Sequence, residues 1–347
     1  MIPHFPPKSN RRGLRIPPGL HIIAPDVLER KARVMTLHVP RLSLVLCLLA
    51  ALALLPLSPA GAEDAALTAP LTLPWDLSPG PEPDPAGYAG NTYADPSIRV
   101  RLETREEEGV IWHLAFVRIA SPAQLRTYTA DPGNLLSRRT ASVSKMARAA
   151  HAVVAINGDF YNNDAKEASV EYRMGQKIRY KAYRQKDVLL IDDRGDFHLI
   201  LAGSRQTNAE QLDILADAFS AHHVINAFTF GPALVVDGRA QAINPHYSYT
   251  PNRKDPRSAI GQLGSLSYVL AVAEGRGASS GATMQELADY MAALGCLQAY
   301  NLDGGNSSQL VFGDTVLKGQ PTASDRTVND ILYFASAMPD SDAGGAD

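Results

Sequence analysis

The sequence predicts an α+β (mixed α/β) fold: a central mixed sheet with hairpins and a few packed helices, in a single domain. Three observations predict it. Short apolar runs at residues 153–156, 268–273, 309–312 and 331–335 read as buried strands. Turn signals such as Asp193-Arg194-Gly195 and Asp237-Gly238 lie beside other strand-like runs. One stretch, residues 283–294, carries the apolar spacing and both terminal signals of a helix.

Taken in order, residues 99–104 and 110–119 alternate polar and apolar side chains, as half-buried strands do. Residues 142–151 read as a helix leading into the strand 153–156. Strands at 188–192 and 197–201 flank Asp193-Arg194-Gly195, and 210–219 is an amphipathic helix. A strand at 233–236 meets Asp237-Gly238. In the helix 283–294, Thr283 and Glu286 fit a capping box. Met284, Leu287, Ala288, Met291 and Ala292 share one face, and Gly295 supplies the stop. Strands at 297–302 and 309–312 enclose a polar glycine turn. Gly313-Asp314 returns the chain through 315–317, and 331–335 is the closing strand.

The 347 residues are 45% hydrophobic and 20% charged, enough apolar material for a sizeable core. A net charge of −3, with no basic cluster beyond Arg11–Arg15, argues against nucleic-acid binding. The two cysteines, Cys47 and Cys296, cannot build a disulfide framework or a Cys-based zinc site. Residues 42–55 form an apolar run preceded by Arg41 and broken by Pro56 and Pro59, with Ala60-Gly61-Ala62 as a small-x-small cleavage site. Residues 1–62 are therefore expected to be an export signal region, with Met35 as a possible true start, and the mature protein to be periplasmic or secreted without a membrane span. Residues 63–97, rich in Pro and Ala, are expected to be a linker. Residues 98–337 would form the folded domain and 338–347 a disordered tail. The oligomeric state is not encoded in any pattern.

Candidate chemistry gathers at strand-end turns. Asn301-Leu302-Asp303-Gly304-Gly305-Asn306-Ser307-Ser308 places six polar or glycine residues where a tight hairpin needs two. Paired glycines allow close backbone approach to a ligand, Asp303 supplies a carboxylate, and Ser307 and Ser308 supply hydroxyls. A capped turn with Asx hydrogen bonds is the competing reading. Asn157-Gly158-Asp159-Phe160-Tyr161-Asn162 follows a core strand and can line a cleft. Arg257 enters a strand after a polar loop and could grip a phosphate or carboxylate, or form a salt bridge. Glu274-Gly275-Arg276 ends another strand and is followed by Ser279-Ser280-Gly281 and a helix N-terminus. Phe230-Gly231-Pro232 reads as a rigid turn. His222, His223 and His246 lack ligand spacing and read as surface residues. No cofactor is indicated and no metal site is assigned, although Asp159, Asp164 and Asp303 could offer oxygen ligands to Ca²⁺ or Mg²⁺.

In this order, Asn157-Gly-Asp-Phe-Tyr, Phe230-Gly-Pro, Arg257-Ser-Ala-Ile-Gly, Glu274-Gly-Arg with Ser280-Gly281, and Asn301-Leu-Asp-Gly-Gly-Asn-Ser-Ser resemble the phosphodiester glycosidase family over residues 152–335. The family more often has Gly at Asp159 and Asn306, and Asp at Glu274. The resemblance implies hydrolysis of the sugar C1–O bond of a sugar-1-phosphodiester in an envelope or extracellular glycan. On this expectation Glu274, Asp303 and Asp159 are catalytic. Asn157, Arg257, Ser280, Asn301, Gly304, Gly305, Asn306, Ser307 and Ser308 bind substrate. The leaving phosphate monoester, with a second pKa of about 6, makes electrostatic stabilisation more important than a strong general acid. The alternatives are a non-catalytic carbohydrate-binding, exopolysaccharide-associated protein and a phosphoesterase that cleaves P–O.

Overall fold

The computed structural model describes residues 66–159, 169–181, 186–203, 207–248 and 250–340. The export region, the end of the tail and Phe160, Tyr161, Asn162 and Asp164 lie outside the described residues. Along the chain come β1 (Tyr88–Ala89), β2 (Thr92–Ala94), β3 (Ile98–Glu107), β4 (Val110–Ile119), β5 (Leu125–Thr129), β6 (Ala141–Ser142), α1 (Val143–Ala149) and β7 (Ala152–Asn157). Next are β8 (Val170–Arg173), β9 (Gln176–Tyr180), β10 (Val188–Asp192), β11 (Phe197–Ile200), α2 (Asn208–Ala221), β12 (Val224–Phe228), β13 (Ala233–Val236) and β14 (Arg239–Ala240). The last are β15 (Arg257–Gly264), β16 (Ser267–Ala273), α3 (Met284–Ala293), β17 (Gln298–Asn301), β18 (Gln309–Phe312), β19 (Thr315–Lys318), β20 (Thr327–Val328) and β21 (Asp330–Ala335).

The α+β class read from the sequence is the class of the structure. The strands are divided among three main sheets, ordered β1-β2-β3-β4-β16-β15-β17-β13-β14, β11-β10-β12-β8-β9 and β19-β18-β7-β21-β5, with a small β20-β6 pair. The principal pairings are antiparallel, as tight hairpins require. The β3–β4 hairpin turns at Glu108 and Gly109, both at positive φ, the geometry of a turn that follows the natural strand twist.

One cluster fills the space between the sheets: Ile98, Val100 and Leu270 from the large sheet, Leu189 and Phe228 from the second, and Val154, Leu310 and Phe334 from the third. The other face of the large sheet carries α3, whose Met284, Leu287, Ala288 and Met291 pack on Ala259, Val269 and Ala271. Thr283 Oγ1 accepts the Glu286 amide, Glu286 accepts the Thr283 amide, and Gly295 at φ +88° ends the helix. The capping box and stop signal read from sequence are thus both in place. The helices α1 and α2 pack against the third and second sheets respectively.

The stretch expected to be a linker is packed onto the domain from residue 66 onwards. Leu73, Leu77 and Tyr93 are buried, and β2 pairs with β3. Arg126 ties the segment down by donating to the carbonyls of Pro74, Asp76 and Ser78. Pro-rich composition hid this, because the apolar anchors are too sparse to show a period. Among the described residues no helix is long and apolar enough to cross a membrane.

Gly261, in the middle of β15, explains how α3 can sit so close to the sheet. A Cβ there would collide with Cys296 Sγ and lie 2.9 Å from Met291 Cε. Gly261→Ala is expected to cost about 1–3 kcal/mol by overpacking, read as a lower urea midpoint. An unchanged midpoint would show that α3 has slack against the sheet.

Candidate active site

Strand ends from all three sheets converge at the Asn301–Ser308 turn. Asn157, the last residue of β7, organises it. Its Oδ1 accepts from Ser258 Oγ (2.8 Å) and the Gln309 amide (3.2 Å), while Nδ2 donates to the carbonyls of Asp303 (2.8 Å) and Gly158 (3.0 Å). A carboxamide has two donors and two acceptor lone pairs, so these bonds use its capacity. Asn157 was expected to bind substrate; fully buried and saturated, it instead braces the turn.

The two glycines of the turn have separate reasons. A Cβ on Gly304 would lie 2.9 Å from the Pro256 carbonyl, which the Gly305 amide contacts at 2.8 Å. Gly305 sits at φ +63°, the left-handed region where a side chain is strained. Gly304 also lies against the Arg257 stem, since its Cβ position would be 3.9 Å from Arg257 Cδ.

Arg257 is therefore beside the turn, but its guanidinium is engaged with backbone. Nε donates to the Ala282 carbonyl at 3.0 Å, and Nη2 to those of Thr250 and Arg253 at 3.1 and 2.6 Å. Burial and the neighbouring Arg276 and Arg253 lower its pKa, against the pull of Asp255. Arg276, in the Glu274-Gly275-Arg276 turn but not assigned a role from sequence, is the more accessible cation. It pairs with Asp255 at 2.6 Å and donates to Asn306 Oδ1 at 2.7 Å.

Beneath the turn lies a buried set of charges. Arg173 donates to Asp159 Oδ1 at 2.6 Å and Asp330 Oδ2 at 2.7 Å, has Glu171 Oε2 within 3.2 Å, and stacks on Phe228 at 4.0 Å. Asp159 also accepts the Thr229 amide at 3.2 Å. Gly158 is obligatory here, because a Cβ would collide with Asp330 Oδ1. Burial pushes the Glu171 carboxyl well above its usual range, and Asp159 beside it adds to the effect. Asp330 is raised for the same two causes, partly offset by Arg173.

Asp303 differs in being half-buried at the edge of this set. Desolvation pushes its carboxyl up to about 6, with Asp159 adding to the rise; Ser307, Arg326 and the Gly304 amide pull the other way. Such a group can change protonation near neutral pH, as a general base must.

The remaining expected site residues separate. Glu274 Oε1 lies 2.6 Å from His113 Nε2, and His113 Nδ1 is 3.1 Å from Thr104 Oγ1. No hydrogen bond or ion pair joins Glu274 to the Asp303 turn among the described residues. Ser280 faces the other way: its amide donates to the Gly109 carbonyl and its hydroxyl to that of Gly281. Asn301 Nδ2 donates to the Gly231 carbonyl at 2.7 Å, whereas its buried Oδ1, like the buried Ser308 Oγ, has no hydrogen-bond partner. Beyond the Gly231-Pro232 turn opens a cleft of about 420 Å³ lined by Asp187, Pro232, Asn244, His246 and Tyr247. Sequence reasoning passed over Glu171, Arg173, Asp330 and Arg276. A charge pair inside an otherwise strand-like Val170-Glu171-Tyr172-Arg173 was the one signal available for the first two.

A strand-end turn of glycines, a titratable carboxylate and flanking arginines is the kind of site that handles anionic substrates. The phosphodiester glycosidase family model matches residues 150–335, over half of the chain, and the protein belongs to that family. The SPbeta prophage-derived uncharacterized protein YomE of Bacillus subtilis is 28% identical over 208 residues, 58% of this chain; the chain spans only 31% of that protein's length. The zebrafish N-acetylglucosamine-1-phosphodiester alpha-N-acetylglucosaminidase catalytic domain, solved auto-inhibited by its pro-peptide, aligns with a TM-score of 0.53 at 13% identity, covering 74% of this chain and 87% of that one. At that identity the likeness concerns the fold. A hypothetical protein from Synechocystis aligns with a TM-score of 0.47 at 19% identity, covering 68% of this chain and 62% of that one.

Removing Arg173 would leave three carboxyls buried together. Arg173→Met is expected to cost about 3–5 kcal/mol at pH 7 in urea unfolding. Without the guanidinium the folded-state carboxyl pKa values rise further, so the folded state binds more protons than the unfolded one. The variant should therefore recover stability as pH falls below neutral. Equal stability of variant and parent at pH 7 would show that the carboxyls do not depend on the cation.

Proposed function

We propose that this protein hydrolyses the sugar C1–O bond of a sugar-1-phosphodiester in an envelope or extracellular glycan. The observation that carries the reading is Asp303, a carboxyl pushed up to about 6 at a glycine turn with Arg276 and Arg326 nearby. As a carboxylate it activates water or supports an oxocarbenium-like centre. The arginines favour the departing phosphate, which needs charge stabilisation more than protonation. Glu274, fixed by His113, is the second carboxylate of the proposal. Export to the periplasm or beyond is supported by the apolar run at 42–55 and the Ala60-Gly61-Ala62 site.

The test is turnover of the mature protein on a panel of sugar-1-phosphodiesters in ¹⁸O-labelled water. Label is expected on the sugar. Label on the phosphate would replace the glycosidase with a phosphoesterase, and binding without turnover across the panel would replace it with a carbohydrate-binding protein. Asp303→Asn is expected to lose about 10²–10⁴ in kcat/KM. Because the working form is the carboxylate, activity should be present above and fall below pH 6, where Asp303 takes up its proton. Glu274→Gln should also lose activity; if it turns over like the parent enzyme, the His113–Glu274 pair serves the fold alone.

A further inference from the structure

Away from the Asp303 turn, three residues far apart in sequence bring their polar atoms together. Asp192 ends β10, His198 lies on β11 and His222 is the C-cap of α2. One ligand atom from each falls within 4.8 Å of the other two. His198 Nε2 is 2.9 Å and His222 Nδ1 3.7 Å from the same oxygen, Asp192 Oδ2. The two imidazoles stack with centroids 3.6 Å apart and planes inclined by 26°.

The carboxylate between them is held from behind. Asp192 Oδ1 accepts the amides of Arg194 and Asp196, each at 2.9 Å, so the tight β10–β11 turn aims Oδ2 at both rings. This is the outer-shell support that orients metal-binding side chains. The Asp192 side chain is only 5% exposed, whereas those of His198 and His222 are 26% and 35% exposed, leaving an approach from solvent. A single carboxylate oxygen facing two imidazole nitrogens satisfies only part of their capacity by hydrogen bonding. A cation between them would use a lone pair from each of the three.

We propose that Asp192, His198 and His222 bind one divalent ion of the Zn²⁺ class, with a fourth position left to water. Two imidazoles and a carboxylate suit zinc and its neighbours, whereas Ca²⁺ and Mg²⁺ favour oxygen-only sets. Asp192 stands at the opposite end of β10 from Val188, whose neighbour Asp187 meets the Tyr300 hydroxyl near the Asn301 turn. An ion there would clip the C-terminal end of α2 to the β10–β11 hairpin, away from the Asn301 turn. The proposal does not depend on the glycosidase reading.

Tag-free, chelator-stripped protein is titrated with Zn²⁺ by calorimetry and with Co²⁺ by visible absorption. One equivalent is expected to bind, with the intense d–d bands of a four-coordinate Co²⁺ site. At a hundredfold excess over Kd the Tm should rise by about 5–10 °C. His222→Gln and His198→Gln should each weaken binding at least about tenfold, while His223→Gln, on the neighbouring Asp193 pair, should not. His222 is on the surface at a helix end, so its variant decides the question if His198→Gln fails to fold. The absence of saturable binding up to millimolar Zn²⁺, or parent-like binding by folded His222→Gln, overturns the proposal.

Discussion

The arrangement beneath the candidate active site is governed by the charge balance around Arg173. Its guanidinium is fully buried and meets carboxylates from three directions: Asp159 after β7, Glu171 on its own strand and Asp330 at the start of β21. One cation among three buried acids is not balanced by ion pairing, and the excess negative potential must be relieved by protons. The raised carboxyl pKa values of Glu171 and Asp330 express that relief. Pairs of this kind add little to stability when compared with an apolar core, but they are costly to leave half-built. The second and third sheets are thus held in one relation, because β8 and β21 must both present their charged ends to the same guanidinium.

From that joint the active-site turn follows. Gly158 passes directly over Asp330, and Asn157 before it reaches across to Ser258, Gln309 and the Asp303 carbonyl. A single side-chain amide therefore links the ends of β7, β15 and β18 to the turn after β17. The Gly304-Gly305 pair lets the turn close over the Pro256 carbonyl, bringing Arg257 from one side and Arg276 from the other. The catalytic proposal inherits its geometry from these contacts, and rigidity of this sort is what electrostatic stabilisation needs.

How much of this was legible depended on whether the reason for a residue was local. The α3 helix was readable because Thr283, Glu286 and Gly295 act within one or two turns of each other. The Asn301–Ser308 turn was readable because its glycines and polar residues interrupt apolar strands. Asn157 was located, but its bracing bonds were not legible, since its partners Ser258 and Gln309 come from remote strands. Glu171 and Arg173 on β8 were passed over, because nothing in their neighbourhood announces Asp330. His198 was passed over and His222 was read as a surface residue without ligand spacing, because the contact between them exists only once α2 folds back on the β10–β11 hairpin. Ser280, expected at the site from its position beside a helix start, is bonded instead to the β3–β4 hairpin through its amide and Gly109.

Asp303 and the buried carboxyls feel much of the same field but are suited to different work. Asp330 is sealed from water, so a change in its protonation has no fast route to solvent and serves the fold. Asp303 shares the negative potential through Asp159, yet lies only partly buried at the turn, with Ser307 and Arg326 limiting the rise. Its pKa is raised first by its own desolvation, and the buried cluster adds to the rise through Asp159.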